Sequence, residues 1–106
     1  MEQKIEGKHE NDANGNPAGG TTTGVGILIE WQNGPLGTGA DRKEPNGAFV
    51  EGVIAAAIDR LEYYQASKFK CRENALAITK LEEALHWCNH RTSKRTKAGV
   101  EGTHSL

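Results

Sequence analysis

The chain has 106 residues and a formal net charge of −1 at pH 7. A chain of this length forms one domain at most, and a monomer buries only about 60–65% of its unfolded surface. Because its charges nearly balance, no global field attracts nucleic acid. No apolar run approaches the ~18 residues of a membrane span, and the polar start excludes a signal peptide. We therefore expect a cytosolic protein with free thiols at Cys71 and Cys88.

Residues 1–24 are almost entirely polar or glycine. They lack the apolar mass that would offset the entropy of ordering, so the composition predicts a disordered tail. Residues 25–106 are then expected to form a single domain.

Residues 24–32, GVGILIEWQ, contain β-branched and aromatic residues in alternation, which predicts a strand. Asn33-Gly34-Pro35 predicts a turn. Residues 36–41 are the candidate second strand of a β-hairpin, although their glycines argue against it. A lone hairpin is unstable in water, so this ribbon is expected to pack on helices or to pair between subunits.

Apolar residues then recur at helical spacing, which predicts a helix that opens after Pro45-Asn46-Gly47. Their positions are Val50, Ile54, Ala57, Leu61 and Tyr64. Ala66-Ser67-Lys68 is a short connection, in which Ser67 is expected to cap the next helix.

The second helix is predicted from about Lys70 to Lys97, with Gly99 as its C-terminal stop. Ile78, Leu81, Leu85 and Cys88 form its apolar stripe. Two helices with a short link form an antiparallel hairpin, which leaves one apolar side exposed. The sequence thus predicts an α+β fold, a β-hairpin followed by a two-helix hairpin, assembled as a homo-oligomer.

Arg91 and Arg95 are four residues apart and share a helix face. Two guanidinium groups there can hold a pyrophosphate through charge-assisted hydrogen bonds. The alternative is a solvated helix end that complements the helix dipole, and the spacing by itself favours this alternative.

Tyr64 ends the first helix beside the interhelical turn, where an aromatic ring could stack on a purine base. The alternative is a residue at the rim of the core, which the pattern alone favours.

Arg72 and Thr79 are seven residues apart and form a polar strip on the second helix. Asn74 falls in register with the apolar stripe of that helix. A polar residue at such a position either fixes the helix register or contacts a ligand, and the sequence leaves both alternatives open.

His86 and His90 have the i, i+4 spacing of a metal-chelating pair, but no third ligand is evident. Glu82 and Glu83 are adjacent on a helix and therefore diverge, which argues against acid–base chemistry. We expect no metal, no cofactor and no catalytic residue.

Four segments together resemble one known family, the phage Thoeris anti-defence protein 1 family, whose helical hairpin is shared with phage anti-CBASS sponge proteins. The segments are ILIEWQNGP (27–35), IDRLEYYQ (58–65), FKCRENALAITKLEEALHW (69–87) and RTSKRTKAGVEG (91–102). The resemblance covers about residues 26–103, and CREN followed by ITKLEEAL is its most specific part.

The resemblance implies a non-enzymatic protein that sequesters nucleotide signals of bacterial immunity in the cytoplasm of the infected host. For Thoeris the signal is a glycocyclic ADP-ribose made by a TIR-domain protein. Some relatives also bind cyclic di- or trinucleotides at separate sites of a hexamer. The resemblance assigns the ligand to Tyr64, Asn74, Arg91 and Arg95. It assigns Arg72 and Thr79, as weaker counterparts, to a trinucleotide site on an oligomer axis.

Many members of the family have Phe where this chain has Tyr64, so its hydroxyl could alter the preference among ligands. The partners implied are thus glycocyclic ADP-ribose, cyclic oligonucleotides and further copies of the chain in a dimer or hexamer, with no membrane and no nucleic acid polymer. A module that binds nucleic acid or protein through the basic helix end is the alternative, and a hydrolase or metal enzyme built on His86, His90 and Glu83 is the third hypothesis.

Overall fold

The computed structural model describes residues 3–106, which divide into two compact units. The first unit runs to Phe49 and also includes Val100–Leu106, and the second is Val50–Gly99. That residues 25–106 form a single domain stays a prediction, and Val100–Leu106 packs with the N-terminal part of the chain in the first unit.

The first unit contains a three-stranded antiparallel sheet in the order β1-β2-β3. The strands are β1 at Glu6–Asn11, β2 at Pro17–Gly24 and β3 at Ile27–Glu30. The pairs Thr22↔Ile29 and Thr23↔Leu28 set the register of β2 on β3. The two helices of the second unit follow the sheet along the chain. The fold class is therefore α+β, as the sequence predicts.

Strands β1 and β2 correct the prediction of a disordered tail over residues 1–24, of which Met1 and Glu2 lie outside the described residues. Backbone pairing forms this ladder without apolar side chains, which is why composition misses it. The turn between the strands is held by Asp12, whose carboxylate accepts the backbone N–H groups of Asn14 and Asn16 at 2.9 and 3.0 Å. The Asn16 hydrogen bond lowers the pKa of Asp12.

The predicted strand at residues 36–41 is wrong: a short 3₁₀ helix lies at Gly39–Asp41. The partner of β3 is β2, and the loop after β3 pairs instead with the C-terminal segment. Arg42 donates to both carboxylate oxygens of Glu101, at 2.6 and 2.9 Å, and Gly37 N donates to the carbonyl of Gly102 at 2.9 Å. Hydrogen bonding to Glu101 also raises the pKa of Arg42.

The end of β3 forms a parallel bridge between Trp31 and Ala48. A side chain at Gly47 would lie 2.6 Å from the Trp31 backbone, so only glycine permits this approach. The Trp31 indole N–H donates to the Thr22 hydroxyl at 2.8 Å and thereby joins the bridge to β2.

The second unit is the predicted antiparallel helical hairpin, with α1 at Val50–Gln65 and α2 at Arg72–Lys97. Gly99 follows α2 in the left-handed conformation, with φ of +74°, and so confirms the predicted stop. Ser67 is not the cap of α2. The N-cap is Cys71, whose sulfur accepts the Asn74 N–H at 3.4 Å, while the Ser67 hydroxyl accepts from Phe69 N within the turn.

The interhelical turn is closed by the side chain of Gln65. Its amide nitrogen donates to the Cys71 carbonyl and its amide oxygen accepts the Cys71 N–H, both at 3.0 Å. This paired contact satisfies the backbone groups that α1 and α2 leave open at the turn. It fixes where α2 starts relative to the end of α1.

Neither unit has a buried core of its own. No side chain of residues 3–106 is fully buried, and the apolar stripes of both helices remain partly exposed. Among the same residues, no helix is both long and apolar enough to cross a bilayer.

We expect Gln65→Ala to lower the free energy of unfolding by about 1–3 kcal/mol, because it leaves the Cys71 N–H without a partner and the Cys71 carbonyl with the Ala75 N–H alone. The urea midpoint measured at one fixed protein concentration checks this. Glu62→Ala removes an exposed side chain of the same helix end and is the control. Equal midpoints for the two variants would show that the Gln65 contact contributes nothing to the turn.

Candidate functional site

Tyr64 lies at the turn end of the hairpin, where its backbone carbonyl accepts the Ser67 hydroxyl at 2.6 Å. Its side chain is 36% exposed, compared with 61% for Tyr63. Tyr64 is therefore partly sheltered yet accessible, which suits a ring that stacks on a planar ligand.

Asn74 lies in the first turn of α2 and is half-buried. Its backbone N–H is held by the Cys71 sulfur, whereas its side-chain amide makes no hydrogen bond to any of residues 3–106. That amide is therefore a candidate hydrogen-bonding group for a ligand. Tyr64 and Asn74 thus flank the same interhelical turn, and exposed Arg72 lies beside them.

Thr79 is exposed and lies two turns further along α2. Its hydroxyl donates to the Ala75 carbonyl at 3.2 Å, so its lone pairs remain available as acceptors. An open groove of about 340 Å³ adjoins it. The groove is lined by Thr79, Glu82, Glu83, His86 and Trp87. Two carboxylates in this groove disfavour a phosphate there.

Arg91 and Arg95 occupy the other end of α2, where Arg91 is exposed and Arg95 is half-buried. Lys94, Arg95 and Lys97 all lie in the last turn. At 1.5 Å per residue, Arg91 is about 25 Å from Asn74 along the helix and Arg95 about 31 Å. The hairpin therefore does not bring the six predicted residues together. It places Tyr64, Arg72 and Asn74 at one end and the two distal arginines at the other.

Three rings cluster on α2 between these two ends. The centroids of His86 and His90 are 6.3 Å apart in a near-parallel arrangement, and the Trp87 ring lies edge-on to both at 5.7 and 5.8 Å. Trp87 is 66% exposed. Among residues 3–106 no group of three His, Cys, Asp or Glu side chains could hold a metal ion.

Sequence reasoning missed one residue near Tyr64. The guanidinium carbon of Arg60 lies 4.8 Å from the centroid of the Tyr64 ring and 4.8 Å from that of Tyr63. The sequence contained a signal for this contact, because a cation followed by aromatic residues at i+3 and i+4 lies on the same helix face as those residues.

Comparison with known proteins relates this geometry to a family. The family model described as Acb2/Tad1, hairpin domain, matches residues 24–93, which is more than half of the chain. This chain belongs to the Acb2/Tad1 hairpin-domain family. The resemblance seen in the sequence is thereby confirmed.

A curated relative from Bacillus phage SBSphiJ7, named Thoeris anti-defense 1, is 63% identical over 76 residues. The match covers 72% of this chain but only 51% of the relative, so the chain spans about half the length of that protein. The Acb2/Tad1 match contains β3, α1 and most of α2, and it ends before Arg95. Strand β1 and nearly all of β2 also lie outside it.

Proposed function

We propose that this chain is a phage anti-defence protein that binds a nucleotide signal of bacterial immunity and withholds it from its effector without cleaving it. The signal is a glycocyclic ADP-ribose made by a TIR-domain protein, and cyclic di- or trinucleotides are a second ligand class. Membership of the Acb2/Tad1 hairpin family and the name of the phage relative support this assignment. Binding takes place in the cytoplasm of the infected host.

The observation that carries the proposal is the distribution of aromatic, amide and guanidinium groups over the two ends of the hairpin. Tyr64 supplies a stacking ring and Asn74 a side-chain amide without a partner among residues 3–106. Arg91 and Arg95 supply the cations that a pyrophosphate requires. These groups match the parts of a nucleotide: a base, polar ring edges and phosphates.

A single nucleotide cannot span the roughly 25–31 Å that α2 puts between Asn74 and the two arginines. We therefore place the pocket between two copies of the chain, with the turn end of one hairpin against the basic end of the next. The half-exposed apolar stripes support this, because assembly would give each copy the core that it lacks. The assembly is a dimer or a hexamer.

The binding energy also favours a shared pocket. Stacking on an aromatic ring contributes about 1–3 kcal/mol per base, and a hydrogen bond to a charged group about 1.5–3 kcal/mol. Sequestration at nanomolar level requires about −12 kcal/mol. One ring or one pair of arginines falls short of that value, whereas a pocket that combines both ends and buries the ligand reaches it.

The four side chains of this pocket are suited to binding rather than to turnover. They supply a stacking ring, an amide and two guanidinium groups, and none of them is a carboxylate, a histidine or a thiol. For this reason we propose no catalytic residue.

Arg72 and Thr79 form a second proposed site, for a cyclic trinucleotide on an oligomer axis. The acidic groove beside Thr79 disfavours phosphate in a single copy. Symmetry would bring several Arg72 side chains together and offset those carboxylates.

Arg91→Ala is expected to weaken binding of glycocyclic ADP-ribose at least about tenfold, because one charged hydrogen bond to phosphate is lost. Titration calorimetry measures this, with mass determination to show that the oligomer is intact. Lys97→Ala removes an exposed cation of the same helix end and is the control. Unchanged affinity of Arg91→Ala, or equal weakening by Lys97→Ala, would contradict the assignment.

Mixing two variants with weakened binding tests the shared pocket. Tyr64→Ala and Arg91→Ala each damage every pocket in their own oligomers. After the two variants are refolded together, some pockets contain Arg91 from the Tyr64→Ala chain and Tyr64 from the Arg91→Ala chain. These pockets have both residues. We expect binding to return in the mixture, with a calorimetric stoichiometry below that of the unmodified chain. No recovery in mixed oligomers verified by mass would place both residues in a pocket of one copy.

The basic last turn of α2 favours a second candidate, binding of nucleic acid. That function predicts binding to DNA or RNA with a steep dependence on salt and no competition by free glycocyclic ADP-ribose. Fluorescence anisotropy with a labelled oligonucleotide distinguishes the two functions.

A further inference from the structure

Arg60 and the two tyrosines at the end of α1 form a compact cation–aromatic cluster. The Arg60 guanidinium lies 4.8 Å from each ring centroid, and the two rings are 5.9 Å apart and tilted by 58°. The cluster is local, since Tyr63 and Tyr64 follow Arg60 by three and four residues on one helix face.

The charge of Arg60 interacts mainly with the tyrosine side chains, and Asp59 contributes a weaker charge interaction. Among residues 3–106 no carboxylate lies within ion-pair distance of Arg60. Hydrogen bonding to the Tyr64 side chain, followed by the charge interaction between the two groups, raises the pKa of Arg60. An exposed guanidinium without a carboxylate partner keeps donors for an anion.

The shape of a guanidinium explains what it can do beside an aromatic ring. It is planar, it stacks on ring faces, and its five N–H donors point outward in its own plane. A guanidinium on one side of Tyr64 leaves the other side of the ring for a base. The donors of a guanidinium that lies parallel to a ring are directed to the rim of that ring, where the phosphates of a stacked nucleotide would lie.

We propose that Arg60 is a ligand-binding residue of the nucleotide site, which orients the Tyr64 ring and donates to a phosphate of the nucleotide stacked on it. This inference rests on the proposed function and adds a third cation to Arg91 and Arg95, at the opposite end of the hairpin. In a pocket formed by two copies, the phosphates are then held from both sides.

Tyr64 and Arg60 act together in this arrangement. The Tyr64 hydroxyl is the polar group that a phenylalanine would lack, and its interaction with Arg60 raises the pKa of that guanidinium. Tyr64→Phe preserves the ring and its attraction for the cation but releases the guanidinium from the hydroxyl. It is expected to weaken binding less than removal of Arg60.

Titration calorimetry with glycocyclic ADP-ribose tests the proposal in the 106-residue chain, at low and at high salt. We expect Arg60→Gln to weaken binding about tenfold and to reduce the dependence of affinity on salt, because one phosphate contact is lost. Arg60→Lys keeps the charge without the planar stack and should bind with intermediate affinity. Circular dichroism and oligomer mass should not change, because Arg60 is exposed.

The control is Lys68→Gln, because Lys68 lies 5.4 Å from the Phe69 ring in the adjacent turn and is likewise exposed. Affinity of Arg60→Gln within twofold of the unmodified chain, an unchanged salt dependence, or equal weakening by Lys68→Gln would overturn the assignment. Failure of the unmodified chain to bind would instead overturn the proposed function, and this inference with it.

Discussion

The paired hydrogen bonds between the Gln65 amide and the backbone of Cys71 are the contact on which the helical hairpin depends. They end α1, set the start of α2 and so determine that the two helices run antiparallel. The length of α2 then determines how far its basic end lies from the turn. With 26 residues against the 16 of α1, it is about 15 Å longer than its partner and carries its basic end to a distance from the turn. The geometry of the candidate site follows from this one constraint.

That geometry changes the meaning of the predicted site residues. Taken one by one, Tyr64 is a rim aromatic and Arg91 and Arg95 are cations that complement a helix dipole. Because they lie at opposite ends of one hairpin, we propose that they are two halves of a shared site. No side chain of residues 3–106 is fully buried, which supports the same proposal, because a second copy would supply surface for both a pocket and a core.

The sequence predicted the helices well and the first unit poorly, for physical reasons. The stripe from Ile78 to Cys88 and the stop at Gly99 are strong local signals, and α2 ends where they predict. Strands β1 and β2 are polar and rich in glycine and threonine, and their stability comes from backbone pairing that composition does not register. Likewise, Cys71 caps α2 in place of Ser67 because the Gln65 contact sets where the helix starts.

At the candidate site, the sequence indicated which residues to consider but not how far apart the fold places them. Arg60 was missed because an isolated arginine on a solvated helix face looks like ordinary surface until the two rings are seen beside it. To predict the separation of Tyr64 from Arg91, one must know that the chain reverses direction once and that α2 continues without a break. These two facts are the basis for proposing a pocket between two copies.

Recovery of intact ligand tests the central claim most directly. The purified chain is incubated with glycocyclic ADP-ribose, separated from free ligand and denatured by heat, and the released molecule is identified by mass spectrometry. Sequestration without cleavage predicts that the intact ligand is released in proportion to the bound amount. Release of breakdown products alone would contradict it.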